Sequence, residues 1–383
     1  VMGAPLTYLD HNGTTPVDAR VFEVMSRYLT TIWGNPSSAH PPGWDAAEAV
    51  AKARDQVAAL VGCSSSEILF TSGGTEANNL AILGTAAGRP AGHMVTTAIE
   101  HPATAEPLAY LERSGWRVTR VSVDHRCVAS LDEIEASVGP DTSLLTIMHS
   151  NNETGVLQPV ARAARIAREA GARVHVDAAQ SAGKVPLDVD EMGADLLSIA
   201  GHKIYAPKGV GVLYVRDGVV IEPVLRGAGQ ERGLRPGTEN VAGIAGLGEA
   251  CEIARSRLVE DAARMTSLRD ELFERLVSGL GGVALNGDPD RRLPNTLNVR
   301  FEGVRGSVLL ARCDEIAAST GAACHAGGEE VPSGVLTAMG LDRDSALGAV
   351  RLTLGRSTTS RDVERAAGAL VRECGKLRGQ SGI

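Results

Sequence analysis

Short apolar runs of strand length alternate with segments of helical period from about residue 45 to residue 255, and few architectures accommodate that order. Ile68–Thr71, His93–Thr97, Arg117–Val123, Ser143–Met148, Arg173–Asp177, Asp195–Ala200 and Gly211–Val215 read as strands. Helices are expected over Gly43–Gly62, Thr75–Leu83 and Val160–Ala170. Strand-then-helix repetition predicts an α/β fold with a mainly parallel sheet covered by helices. In such sheets functional groups collect where strands end and loops begin.

The character changes after a helix-rich stretch near Ala242–Leu280, with Thr296–Phe301 and Ala349–Leu354 reading as strands and Val308–Arg312 as a helix. A chain of 383 residues exceeds one ordinary core. Two domains are therefore expected: a large one over residues 16–255, and a smaller α+β domain from residues 1–15 and 256–383. The net charge of −8 comes from interspersed acids and bases, with no basic run, so direct nucleic-acid binding is not expected. No apolar stretch has the roughly 18 residues of a membrane span. Val1–Thr7 lacks the basic start and apolar core of a secretion signal, which makes the cytoplasm the expected compartment. Six cysteines, at 63, 127, 251, 313, 324 and 374, form no C-x-x-C pair and offer no zinc-ligand spacing.

Polar residues at the strand ends carry the chemistry. Val174–Asp177 ends on an acid with Gln180 close behind, and Leu197–Ala200 runs into Gly201-His202-Lys203. A carboxylate and a lysine from neighbouring strand ends suit the two poles of pyridoxal phosphate: the lysine condenses with the aldehyde, and the acid keeps the pyridine nitrogen protonated. Only five lysines exist (Lys52, Lys184, Lys203, Lys208 and Lys376), and Lys208 lies in a glycine turn that reads as solvent-facing. Ser72-Gly73-Gly74-Thr75 follows a strand and opens a helix, which is either an anion site with Thr75 as a donor or a plain helix cap. Neither a Walker A run nor a G-x-G-x-x-G fingerprint is present.

His101, in Glu100-His101-Pro102, is placed to lie over a planar ring or move protons, or it is a simple loop histidine. Asn151-Asn152 either orients a substrate carboxylate or forms an Asx-turn. The polar stretch Gly227–Asn240 is long for an unstructured connector, and it is either a functional loop whose Thr238 donates to a phosphate or a plain surface connector. Cys324 sits among small residues before Gly327-Gly328, and is either a thiol on a movable arm or an inert structural cysteine. Arg351 interrupts an apolar strand, so it needs either an internal acid or a substrate carboxylate.

Taken together, these segments resemble the cysteine desulfurase and selenocysteine lyase family, which are fold-type I pyridoxal-phosphate enzymes of the class-V aminotransferases. The likeness runs from Tyr8-Leu9-Asp10-His11-Asn12-Gly13-Thr14-Thr15-Pro16 to Gly355-Arg356-Ser357-Thr358-Thr359. The resemblance implies that Lys203 forms the internal aldimine, Asp177 pairs with the pyridinium nitrogen, Gln180 bonds the ring hydroxyl and His101 stacks on the ring. Gly74, Thr75 and His202 would hold the phosphate, with Thr238 reaching across from the second subunit of a homodimer. Asn152 and Arg351 would bind the substrate carboxylate, and Cys324 would accept sulfur from L-cysteine as a persulfide for delivery to an acceptor protein. The destination of that sulfur (iron–sulfur assembly, thionucleosides or DNA phosphorothioation) is left open. L-Selenocysteine as substrate, or a non-catalytic relay scaffold, are the alternatives. One departure stands out: many members carry a serine where this chain has Ala200, so phosphate binding would lean on Thr75, His202 and Thr238.

Overall fold

The structure is a computed structural model and describes residues 6–320 and 330–381. Its strands, in chain order, are β1 (Thr7–Tyr8), β2 (Ile68–Thr71), β3 (His93–Thr97), β4 (Arg117–Val121), β5 (Thr142–Met148), β6 (Arg173–Asp177), β7 (Leu196–Ala200), β8 (Gly211–Val215), β9 (Val283–Leu285), β10 (Thr296–Phe301), β11 (Ile316–Ala317) and β12 (Ala349–Thr353). The main sheet has seven strands in the order β2-β8-β7-β6-β5-β3-β4. From β4 to β7 every pairing is parallel, and β8 alone runs against its neighbours. Helices cover both faces, so the central strands are buried on both sides and read as largely apolar runs.

His175 is the polar exception inside β6. Its ring lies 2.7 Å from Thr146 Oγ1 on β5 and 2.9 Å from Ser198 Oγ on β7, so both nitrogens are satisfied. Burial drives its pKa down to about 4, and the neutral ring donates to one hydroxyl while accepting from the other. This bridge locks β5, β6 and β7 in register immediately below the strand ends that carry the functional residues.

A second core lies over the antiparallel sheet β12-β10-β9 and the parallel pair β1-β11, and includes Leu9, Leu297, Val299, Leu352 and Leu370. One helix, Val241–Gly279, serves both cores: Ile244, Leu247 and Ile253 enter the first, and Leu268, Leu272 and Leu276 the second. Residue 255 therefore falls within a continuous helix. The segment after β1 crosses between the cores, where Asn12 N donates to Thr353 Oγ1 (3.0 Å) and Thr15 N to the carbonyl of His202 (3.0 Å). Among the described residues no helix is long and apolar enough to cross a membrane.

Candidate active site

A cleft of about 360 Å³ opens beyond the carboxyl ends of β5, β6 and β7. Asp177 is the last residue of β6, and Lys203 closes the single 3₁₀ turn Gly201–Lys203 that follows β7. Parallel pairing of these strands sets Asp177 opposite Ser198, and so brings acid and lysine into the same cavity. The carboxylate of Asp177 is buried, and it accepts from Asn78 Nδ2 (2.7 Å) and from the backbone N–H of Ala179 (2.9 Å). Both bonds hold the side chain in one orientation.

Lys203 Nζ donates to the carbonyls of Asn12 (2.5 Å) and Gly13 (2.7 Å) in the crossing segment. Burial lowers its pKa to about 8, with Arg351 adding to the effect and Asp10 and Asp177 opposing it. The chain thus keeps an amine that is partly neutral near physiological pH. Lys208 is exposed.

At the anion end, Gly73 adopts φ 154°, a conformation L side chains rarely take, which lets the chain turn from β2 into the helix Gly74–Ala86. A Cβ on Gly74 would stand 3.2 Å from the Cβ of Ala200, so the turn packs directly on the end of β7. Thr75 is exposed at the cleft and its hydroxyl has no partner among the described residues. His202 Nδ1 lies 3.1 Å from Thr14 Oγ1, and burial followed by repulsion from Lys203 lowers the ring's pKa to about 4. The donors that this end of the cleft offers are therefore helix N–H groups and neutral side chains.

His101 caps the helix Pro102–Arg113, its Nδ1 accepting from Ala103 N at 3.0 Å. In the neutral ring the proton consequently sits on Nε2. Desolvation, reinforced by Lys203 and opposed by Asp177, lowers its pKa, which favours that neutral form.

The two asparagines divide their labour. Asn151 Oδ1 accepts from Glu153 N and Thr154 N, each at 2.9 Å, forming the Asx-turn, while the Asn152 side chain lines the cleft without a partner among the described residues. Arg351 reaches the cleft from β12: Nη2 bonds Asp10 Oδ1 (2.7 Å), Nη1 the Asn152 carbonyl (3.2 Å), and the buried Nε has no partner among the described residues. Of the two readings of Arg351, the internal acid is Asp10, and Nε is left over as a donor among the described residues. The backbone of Arg351 also exchanges hydrogen bonds with Ser319.

Thr238 does not line the cleft of its own chain; it is exposed on the loop between β8 and the helix Val241–Gly279. That loop is tied to the anion end, since Arg235 pairs with Glu76 (3.0 Å) and the other oxygen of Glu76 accepts from Ser72 N (2.8 Å). Cys324 lies outside the described residues. The thiols of Cys63, Cys127 and Cys251 are pushed up to about 12 by burial, and none of them lines the cleft.

Sequence reasoning missed Asp10, Asn12 and Asn78 as parts of this site, and gave Lys184 no role. Asn12 accepts from both Lys203 and Gln180 (Nε2, 3.0 Å) through its carbonyl. Lys184 Nζ donates to Gln180 Oε1 at 3.0 Å. The one available signal was the polar run Asp10–Thr15 following the short β1.

Residues 7–366 match the family Aminotransferase class-V. The chain belongs to that family and, within it, to the cysteine desulfurases. A Cysteine desulfurase of Trichormus azollae is 45% identical over 377 residues, spanning 98% of this chain and 94% of that protein. A solved NifS-like protein superposes with a TM-score of 0.90 at 40% identity, covering 96% of this chain and 98% of the other. The structure of SspA in complex with cysteine matches with a TM-score of 0.81 at 36% identity, over 91% and 98% of the two chains. Enzymes of this family depend in general on pyridoxal phosphate.

Proposed function

We propose that this protein is a cysteine desulfurase that uses pyridoxal phosphate, takes the sulfur of L-cysteine onto Cys324, and releases L-alanine. The observation that carries this reading is the convergence of Lys203, Asp177 and Arg351 on one cleft, with a helix N-terminus at its end. The residues fit the cofactor: Gly73-Gly74 leaves room for a phosphate against exposed N–H groups, and the anchored carboxylate of Asp177 suits a protonated ring nitrogen. Lys203 would hold the aldehyde carbon, Gln180 the ring hydroxyl, and Thr75 and His202 the phosphate. Ala200 offers that phosphate no hydroxyl. Thr238 would complete the phosphate site of a second copy in a homodimer, a state that the exposed Phe22, Leu29, Trp33 and Trp44 support.

Bound there, pyridoxal phosphate supplies an electron sink for the amino acid's α and β carbons. The chain's own groups do the rest. Arg351 and Asn152 orient the substrate carboxylate, the Arg351 Nε donor being available for it. His101 holds a transferable proton on Nε2, and neutral Lys203 accepts one. Cys324, as thiolate, forms an S–S bond to the substrate sulfur as the C–S bond breaks. A thiol and L-cysteine thus yield a persulfide and L-alanine without an external oxidant. The persulfide is then passed to an acceptor protein.

Two measurements follow. Cys324→Ala is expected to lose cysteine turnover while retaining the visible band of the cofactor-loaded protein, and to keep cleaving selenocysteine, whose selenium leaves more readily. Wild-type turnover of cysteine by this variant would sink the persulfide reading. Loading of apo-protein with pyridoxal phosphate should accelerate nearly tenfold per pH unit below the Lys203 pKa of about 8 and level off above it, because only the neutral amine attacks. A rate flat between pH 6 and pH 8 would contradict that assignment.

A further inference from the structure

Lys184 is a buried lysine in no salt bridge among the described residues. Its Nζ donates to Gln180 Oε1 at 3.0 Å and lies 3.4 Å from Asn12 Oδ1, which also accepts from Asn295 Nδ2 (3.1 Å). Burying an amine against two neutral oxygens costs stability that an apolar side chain would not. Burial, Lys203 and Arg351 together lower its pKa to about 7, while His11 and His202, the titratable rings nearby, are each held near 4.

The arrangement has a directional consequence. Gln180 Oε1 faces the donor Lys184, and Gln180 Nε2 donates to the carbonyl of Asn12. With Lys184 protonated, reversing the amide would set its NH₂ against an ammonium and its oxygen against a carbonyl, losing two bonds and creating two repulsions. The same Asn12 carbonyl accepts from Lys203 Nζ at 2.5 Å. A chain of hydrogen bonds thus runs from Lys184 through Gln180 and Asn12 to Lys203.

We propose that Lys184 is a positioning residue for the cofactor site, holding the Gln180 amide with its N–H edge toward the cleft so that the ring oxygen meets a donor. This rests on the reading that the cleft takes pyridoxal phosphate with Gln180 at the ring hydroxyl. A donor at that oxygen stabilises its anionic form, and removal of Lys184 takes away the contact at Oε1 and leaves the Asn12 carbonyl alone to orient the amide. The experiment is a spectrophotometric pH titration of the cofactor-loaded protein, read at the midpoint of its visible band. Lys184→Met should raise the midpoint by about one pH unit, Gln180→Ala should raise it similarly, and the double variant should add nothing further, since Lys184 acts through Gln180. Lys184→Gln, which keeps an N–H donor, should restore at least half of the shift and serves if the methionine variant fails to fold. A wild-type midpoint in Lys184→Met, or fully additive shifts in the double variant, would overturn the proposal while leaving the cofactor reading intact. Absence of any visible band in wild-type protein after adding pyridoxal phosphate would overturn the cofactor reading itself.

Discussion

Lys203→Ala is expected to eliminate the visible band of the cofactor-loaded protein and to reduce turnover by on the order of 10⁴-fold or more, the loss that follows removal of a covalent nucleophile. The fold should survive. The carbonyl of Asn12 keeps the Gln180 amide as a donor, and Gly13 lies at the cleft, where water replaces the lost bond. The cost to stability is then about 1 kcal/mol. Pyridoxal phosphate should still bind through the helix N-terminus, Thr75 and Asp177, so gel filtration should show cofactor travelling with the variant. Borohydride should no longer fix it to the chain. A variant that kept the band would move the assignment to another lysine, and Lys184 is the other one with a donor at the site.

Asp177→Asn should behave in the opposite way. Lys203 is untouched, so the band forms, but turnover should fall on the order of 10²- to 10³-fold. The physical reason is charge: Asn78 and Ala179 hold the side chain in place by donating to it, and an asparagine oxygen can still accept from either of them. What the amide cannot supply is the buried negative charge that keeps a ring nitrogen protonated. Turnover within tenfold of wild type, with the band intact, would remove Asp177 from that role. Together the two variants separate attachment of the cofactor from its electronic activation.

The seven-stranded sheet was legible because parallel strands buried on both faces are continuous apolar runs, and helices between them supply the crossovers. Ile68–Thr71, His93–Thr97, Arg173–Asp177 and Gly211–Val215 have the bounds read from sequence. β1 and β11, with two residues each, carry no periodicity to detect. The site was legible where its residues stand at or just beyond strand ends, at the helix start that carries Thr75, and at Arg351, a charge inside an apolar strand. Asn12 and Asp10 were not, because their partners lie up to 341 positions away and nothing local announces them. Arg351 shows the same limit, since its need for a negative partner was plain but Asp10 as that partner was not.

By itself the amino-acid sequence determined the order of strands and helices and the chemistry on offer at their ends: an acid, a lysine, a glycine turn and an arginine in an apolar strand. Those are local properties, set by side-chain period, backbone freedom and residue type. Only the tertiary structure decided which of them meet. Parallel pairing of β6 with β7 set Asp177 and Lys203 on one cavity, and the crossing segment after β1 brought its carbonyls to the lysine. The same packing turned Lys184 from one lysine among five into a donor that orients Gln180. Burial and neighbouring charge, which exist only after folding, lowered Lys203 to about 8 and so made its amine a usable nucleophile.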